Sequence, residues 1–113
     1  MKITELRIGN LVQASWKKTT HQVSCHTFVE INEFDHCYNP IPLTEEWLER
    51  FGLKKIISQG SIFKLGEFHI QNFGPLGFYE CRNHVKIVYV HLLQNLYFAL
   101  TGEELTLKEE VKP

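Results

Sequence analysis

Residues 91–101, HLLQNLYFALT, constrain the fold more than any other stretch. At a helical repeat, Leu92, Leu93, Leu96, Tyr97 and Leu100 share one side, and Gln94, Asn95 and Thr101 lie elsewhere. Phe98 and Ala99 add apolar surface outside that stripe. A helix this apolar has to be covered on more than one side. The cover comes either from a sheet curled around it or from another molecule. Phe98 is therefore expected in the core or, failing that, at the centre of a self-association surface with neighbours such as Leu105. Gly102 stops the helix.

The residues before it supply the sheet. Residues 54–90 read as a meander of short runs rich in Phe, Ile, Tyr and Val. Gly66-Glu67 is a two-residue hairpin loop between strands at 61–65 and 68–73, with glycine first as such a turn requires. Gly74-Pro75-Leu76-Gly77 is a turn: no Lys-Ser/Thr follows it, so it is not a phosphate loop. Strands at 78–82 and 84–90 join near Asn83, and in the second Val85, Ile87 and Tyr89 alternate with His84, Lys86 and Val88. Upstream, Gly9-Asn10 marks a turn and 11–16 a strand, with Lys17 to Thr20 as a hairpin connection. Val23, Cys25, Val29 and Ile31 share one parity, and His26, Phe28 and Glu30 the other, predicting a long half-buried strand in which Cys25 points inward. Residues 32–42 read as a loop, because Asn39-Pro40 and Pro42 obstruct pairing.

A second, shorter helix is expected over 44–51. Thr44 is a good N-cap, Glu45 and Glu46 suit the positive end of the helix dipole, and Gly52 closes it. Leu43 and Leu48 match the spacing of a hydrophobic staple. Two turns are too few for an isolated helix, so Trp47, Leu48 and Phe51 must dock it. The expected architecture is α+β. A mostly antiparallel, curled sheet of about seven short strands accompanies two short helices, about 44–51 and 91–101. The alternative is a small SH3-like barrel with the helices as appendages. Residues 1–113 form a single domain with a frayed tail at 108–113.

Composition sets aside several functions. The 113 residues include eight Phe, four Tyr and two Trp at a net charge of −1, so the chain is not intrinsically disordered. Such a charge also argues against a protein held mainly on nucleic acid or anionic lipid. The opening MKITELRIGN has no apolar core of a signal peptide, and no apolar run reaches the roughly 18–20 residues of a membrane helix. A cytoplasmic location without membrane contact is expected. Charge is nonetheless uneven: residues 1–29 carry +3, 30–49 carry −6 and 50–66 carry +4. Opposed blocks of this kind can neutralise one another in the fold.

No stretch carries recognisable catalytic mechanics, and no catalytic, cofactor or metal residue is assigned. Three cysteines without a secretory signal are expected to be free thiols. Cys25-His26, His36-Cys37 and Cys81-x-x-His84 offer potential ligands, but only the last pair has local zinc spacing. Cys37 with His36, or Cys81 with His84, is equally the raw material of a thiol nucleophile, but without the surrounding signature of one. His91, at a strand–helix junction, is read as structural. Lys17, Lys18, Lys54, Lys55 and Lys64 lie among Trp16, Phe63, Phe68 and Phe73. Such basic and aromatic interleaving on a sheet is the material of single-strand or RNA binding.

PIPLTEEWLERFG (40–52) and YVHLLQNLYFALTGEELTL (89–107) resemble signature segments of a family of small uncharacterised proteins. That family occurs in Bacteroidetes genomes, often among phage or mobile-element genes. ITELRIGNLV (3–12) is similar to the family's start, whereas residues 53–88 carry no such resemblance. The resemblance implies a cytoplasmic, mobile-element context and no reaction. The expectation is a non-enzymatic protein acting through an unknown protein partner or self-association, with single-stranded nucleic-acid or RNA binding as the alternative and a cryptic small enzyme behind both.

Overall fold

A computed structural model describes residues 6–15, 19–25, 27, 38–56 and 62–108. The fold is α+β, with eight strands and two helices named among these residues. Strands β1 (Leu11–Ala14), β2 (Thr19–Gln22) and β3 (Tyr38–Asn39) form a three-stranded antiparallel sheet in the order β2-β1-β3. Strands β4 (Lys54–Ile56), β5 (Ile62–Leu65), β6 (Phe68–Asn72), β7 (Phe78–Glu80) and β8 (Val85–Ile87) form an antiparallel meander in sequence order. Among the described residues neither sheet closes into a barrel. Helix α1 spans Glu45–Arg50 and helix α2 spans Val90–Thr101. No helix among the described residues is long and apolar enough to cross a membrane.

Local chemistry accounts for α1 and the hairpin. The Trp47 amide donates to the Thr44 hydroxyl at 3.4 Å, and Gly52, at φ +96°, lets the Leu53 amide turn back onto the Leu48 carbonyl. Leu48 and Phe51 are fully buried, while Trp47 is half-buried under the Arg50 guanidinium. Leu65 pairs with Phe68 around Gly66-Glu67, with Gly66 at φ +62°, a backbone setting open to glycine at little cost. Residues 41–43 run along the β8 side of the meander. Leu43 donates to the Val88 carbonyl, Val90 donates to Ile41, and Pro42 bridges Tyr89.

Helix α2 carries the core, but on a rotated face. Val90, His91, Leu93 and Gln94 are its buried residues. Leu93 joins Phe51, Phe63, Ile70 and Ile87 in the main cluster, and Tyr97 meets Phe68 edge-on at 5.0 Å. Leu100, expected on the core stripe, is exposed, and so is Phe98 at 40%. Phe98 is therefore not core. The Arg7 guanidinium lies 4.5 Å above its ring, and Leu105 is buried apart from it in the main cluster.

The rotation follows from a polar clamp. Gln94, only 3% exposed, accepts from the Leu11 amide at 2.7 Å and donates to the Gly9 carbonyl at 3.3 Å. Asn10 Nδ2 and Arg7 Nε both donate to Asn95 Oδ1 at 2.9 Å, and Arg7 also pairs with Glu104 at 2.8 Å. The turn before β1 thus offers backbone groups that an apolar side chain would leave unpaired. Leu6, Val12, Ala14, Val23 and Tyr38 form a second, smaller core in that half.

Two expectations upstream are corrected. The long strand from Val23 does not form: Cys25 and Thr27 are helical, and Cys25 is exposed rather than buried. Ser24 and Thr27 exchange side-chain to backbone hydrogen bonds, a local alternative that competes with strand pairing. The supposed loop at 32–42 contains β3, because Asn39 and Tyr38 pair with Gln13 and Ala14 before Pro40. The remaining positions of both segments, 26, 28–31 and 32–37, lie outside the described residues, as does most of the tail, 109–113.

Candidate functional site

The two faces of the five-stranded sheet separate by parity. Cross-strand partners share a face, so Lys55, Phe63, Ile70, Glu80 and Val85 form one row toward the core. Ile56, Ile62, Gln71, Tyr79 and Lys86 form the neighbouring row on the opposite side. Lys54, Lys64 and His69 make a further row on that outer side. None of these eight outer residues belongs to either hydrophobic core or to the side chains packed against one. The outer face thus carries three lysines, a histidine and a tyrosine, with no carboxylate among its described strand positions. In a chain of net charge −1 this face is a local positive exception.

Lysines on an edge strand discourage stray pairing, and Lys54 and Lys55 on β4 serve that purpose. Lys64 stands on the interior strand β5, where no edge exists to guard. Lys55 is turned to the other side, 4.0 Å from the Glu45 carboxylate. This contact joins the acidic block to the basic block that follows it, as the charge pattern led one to expect.

At the end of the outer face nearest β7, Phe73, Leu76, Tyr79 and His84 surround a shallow hollow of about 290 Å³. Phe73 and Tyr79 meet edge to face, with ring centres 5.4 Å apart. Phe73 is 46% exposed and Leu76 66%. Two turns hold the rim. In one, the Phe73 amide donates to Gly77 O at 2.8 Å and the Gly74 amide to Asn72 Oδ1 at 2.8 Å. In the other, Glu80 is buried to 2% and its carboxylate accepts from the Arg82 and Asn83 amides at 3.2 and 2.6 Å. That second turn holds His84 at φ +56°, an uncommon setting for a side chain of its size. Lys86, the cross-strand partner of Tyr79, stretches along the first turn: a methyl group at Gly77 would stand 3.2 Å from its Cε.

The aromatic residues singled out in the sequence fare differently. Phe63 and Phe68 are core residues and unavailable to any ligand; Phe73 is at the surface. Trp16, Lys17 and Lys18 lie outside the described residues. Tyr79 and Lys86 were missed, and His84 was weighed only as a partner for Cys81. The signal for Lys86 was the alternation of 84–90, which places it opposite the buried Ile87.

Among the described residues no group of three or more His, Cys, Asp or Glu could hold a metal ion. Cys81 is half-buried, and its burial, followed by the nearby Glu80 charge, pushes its thiol above the ordinary range. A nucleophilic thiol needs the opposite shift. His91 is fully buried and stacks on Tyr89 at 5.8 Å, the structural role expected for it. His26, His36 and Cys37 lie outside the described residues.

No family model matches the chain, and comparisons with curated proteins and with solved structures also return no match.

Proposed function

We propose that this is a non-enzymatic binding protein whose working surface is the outer face of the five-stranded sheet and whose ligand is single-stranded nucleic acid. The observation that supports it most is the face with Lys54, Lys64 and Lys86 beside Tyr79 and no carboxylate among its described strand positions. Ammonium groups along a sheet attract a phosphate chain, and an aromatic ring among them offers a base somewhere to stack. The mobile-element context implied by residues 40–52 and 89–107 suits a binder of exposed single strands.

A titration of the full chain with a fluorescent single-stranded oligonucleotide tests this. Three phosphate contacts predict that log affinity falls with log salt at a slope of about −2, near 0.7 per contact. The triple variant Lys54→Glu, Lys64→Glu, Lys86→Glu should abolish binding while leaving the fold intact. Salt-independent binding, or a triple variant that binds as well as the parent, would overturn the assignment.

Contact with a protein partner, or with a second copy of the chain, is the other reading. Exposed Phe98 and Leu100 on α2 favour it, and both lie away from the sheet's outer face. Sedimentation of the protein alone over a range of concentrations tests the self-association form.

A further inference from the structure

From the hollow at the end of the outer face, we infer that it is a stacking subsite for one unpaired nucleobase. Phe73 and Tyr79 form its aromatic wall and Lys86 meets the adjoining phosphate. This inference rests on the nucleic-acid reading above and adds to it a requirement for bases.

The shape limits the occupant. About 290 Å³ lies at the lower end of the range for small-molecule clefts, room for a single ring system rather than a whole cofactor. The walls are two aromatic rings, a leucine and an imidazole, which present mostly apolar surface and π-faces, with the Tyr79 hydroxyl and the His84 imidazole as their hydrogen-bonding groups. Such a lining takes any base by stacking and reads its identity weakly. Phe73 and Tyr79 meet edge to face at 82°, so they do not stack face to face, and the ring that presents its edge keeps its own faces off its neighbour.

The surroundings limit it further. Lys86 shares its face with Tyr79 and supplies a cation at the rim. Lys64 stands two strands and two residues away from Tyr79, about 12 Å at ordinary strand spacing. A chain with a base in the hollow can therefore run across the sheet toward the Lys64–Lys54 pair. A paired, stacked duplex presents its bases edge-on in grooves and cannot insert one without unpairing it. The subsite thus selects single strands.

The rim is built to keep this form. Glu80 ties down the turn that carries His84, and Asn72 caps the turn that carries Leu76. Both anchors lie outside the hollow, so its lining is free to change without loss of the fold.

The test uses the full chain and three probes of equal length: an oligo-dT strand, an abasic strand and a duplex. The parent should bind oligo-dT most tightly. Phe73→Leu and Tyr79→Leu, each checked for an unchanged melting temperature within a few degrees, should weaken oligo-dT binding roughly five- to 150-fold. Binding of the abasic strand should not change. Phe73 is the safer of the two sites because it is half exposed and keeps an apolar side chain. Leu76→Trp, at the most exposed wall, gives an independent reading: its indole fluorescence should be quenched by oligo-dT and not by the abasic strand. Equal binding of oligo-dT and abasic strands, unaffected by both variants, would overturn the stacking subsite and leave the lysine face standing. Failure of every probe to bind would overturn both. If Phe73→Leu instead dissociates a dimer that the parent forms, the hollow is a contact between copies and the inference fails.

Discussion

Phe63, Ile70 and Ile87 on the inner face of the five-stranded sheet are fully buried, while Lys64 and Lys86, one position along the same strands, meet solvent. The two faces share a backbone, a register and a twist, and differ only in what lies opposite. The inner face meets α2 and the end of α1, which make burial of each aromatic ring favourable. No outer-face residue belongs to the described cores: Lys54, Lys64 and Lys86 are exposed, while Ile56, Ile62, His69, Gln71 and Tyr79 are partly buried.

Substitutions can break this contrast or sharpen it. Phe63→Ala should cost about 3–5 kcal/mol, read by urea denaturation, since it opens a cavity where α2 packs. A cost below about 1 kcal/mol would mean that the faces are not distinguished as described. Glu80→Ala comes next, because it orphans the Arg82 and Asn83 amides that its carboxylate accepts from. It should cost about 1–3 kcal/mol by the same measurement. Phe98→Glu should leave a folded protein and cost about 1 kcal/mol or less, chiefly the lost contact with Arg7. Unfolding of that variant would return Phe98 to the core. Lys64→Ala should change stability by less than about 0.5 kcal/mol while weakening oligonucleotide binding and flattening its salt dependence.

The thiols give a smaller, chemical version of the same comparison. Cys81, in the turn after β7, has its ionisation pushed upward by burial and by Glu80, so it remains a protonated thiol at neutral pH. Alkylation at pH 7 should modify exposed Cys25 before Cys81. Labelling of Cys81 should accelerate only as pH rises past the ordinary thiol range, and Glu80→Gln should bring that acceleration to lower pH. Quantitative mass spectrometry of the labelled chain measures both.

Much of the architecture was legible where neighbouring residues decide it. Thr44 with Glu45 and Glu46 starts α1, Gly66 turns the β5–β6 hairpin, and the alternation from 84 to 90 sets which side of β8 faces inward. The candidate site was half legible. Lys54, Lys64 and Phe73 were named from sequence, but Phe63 and Phe68 were grouped with them. A phenylalanine on a strand reads the same whether its face is covered or bare. The alternation from Val23 misled at Cys25 and Thr27 because period two is also available to a segment whose Ser24 and Thr27 side chains satisfy the backbone locally.

What the sequence determined by itself is short-range. It set where helices begin and end, where the chain turns, and which residues share a face, because steric preference and hydrogen bonding act within a few positions. The tertiary structure decided which of those faces is covered. Leu100 faces solvent and Gln94 is buried because the turn before β1, 83 residues from Gln94 at its Leu11 contact, brings amide and carbonyl groups that a glutamine satisfies and a leucine does not. Burial is the property of a pair of surfaces. One strand of residues specifies only its own half, and the free energy of covering it depends on what the rest of the chain delivers.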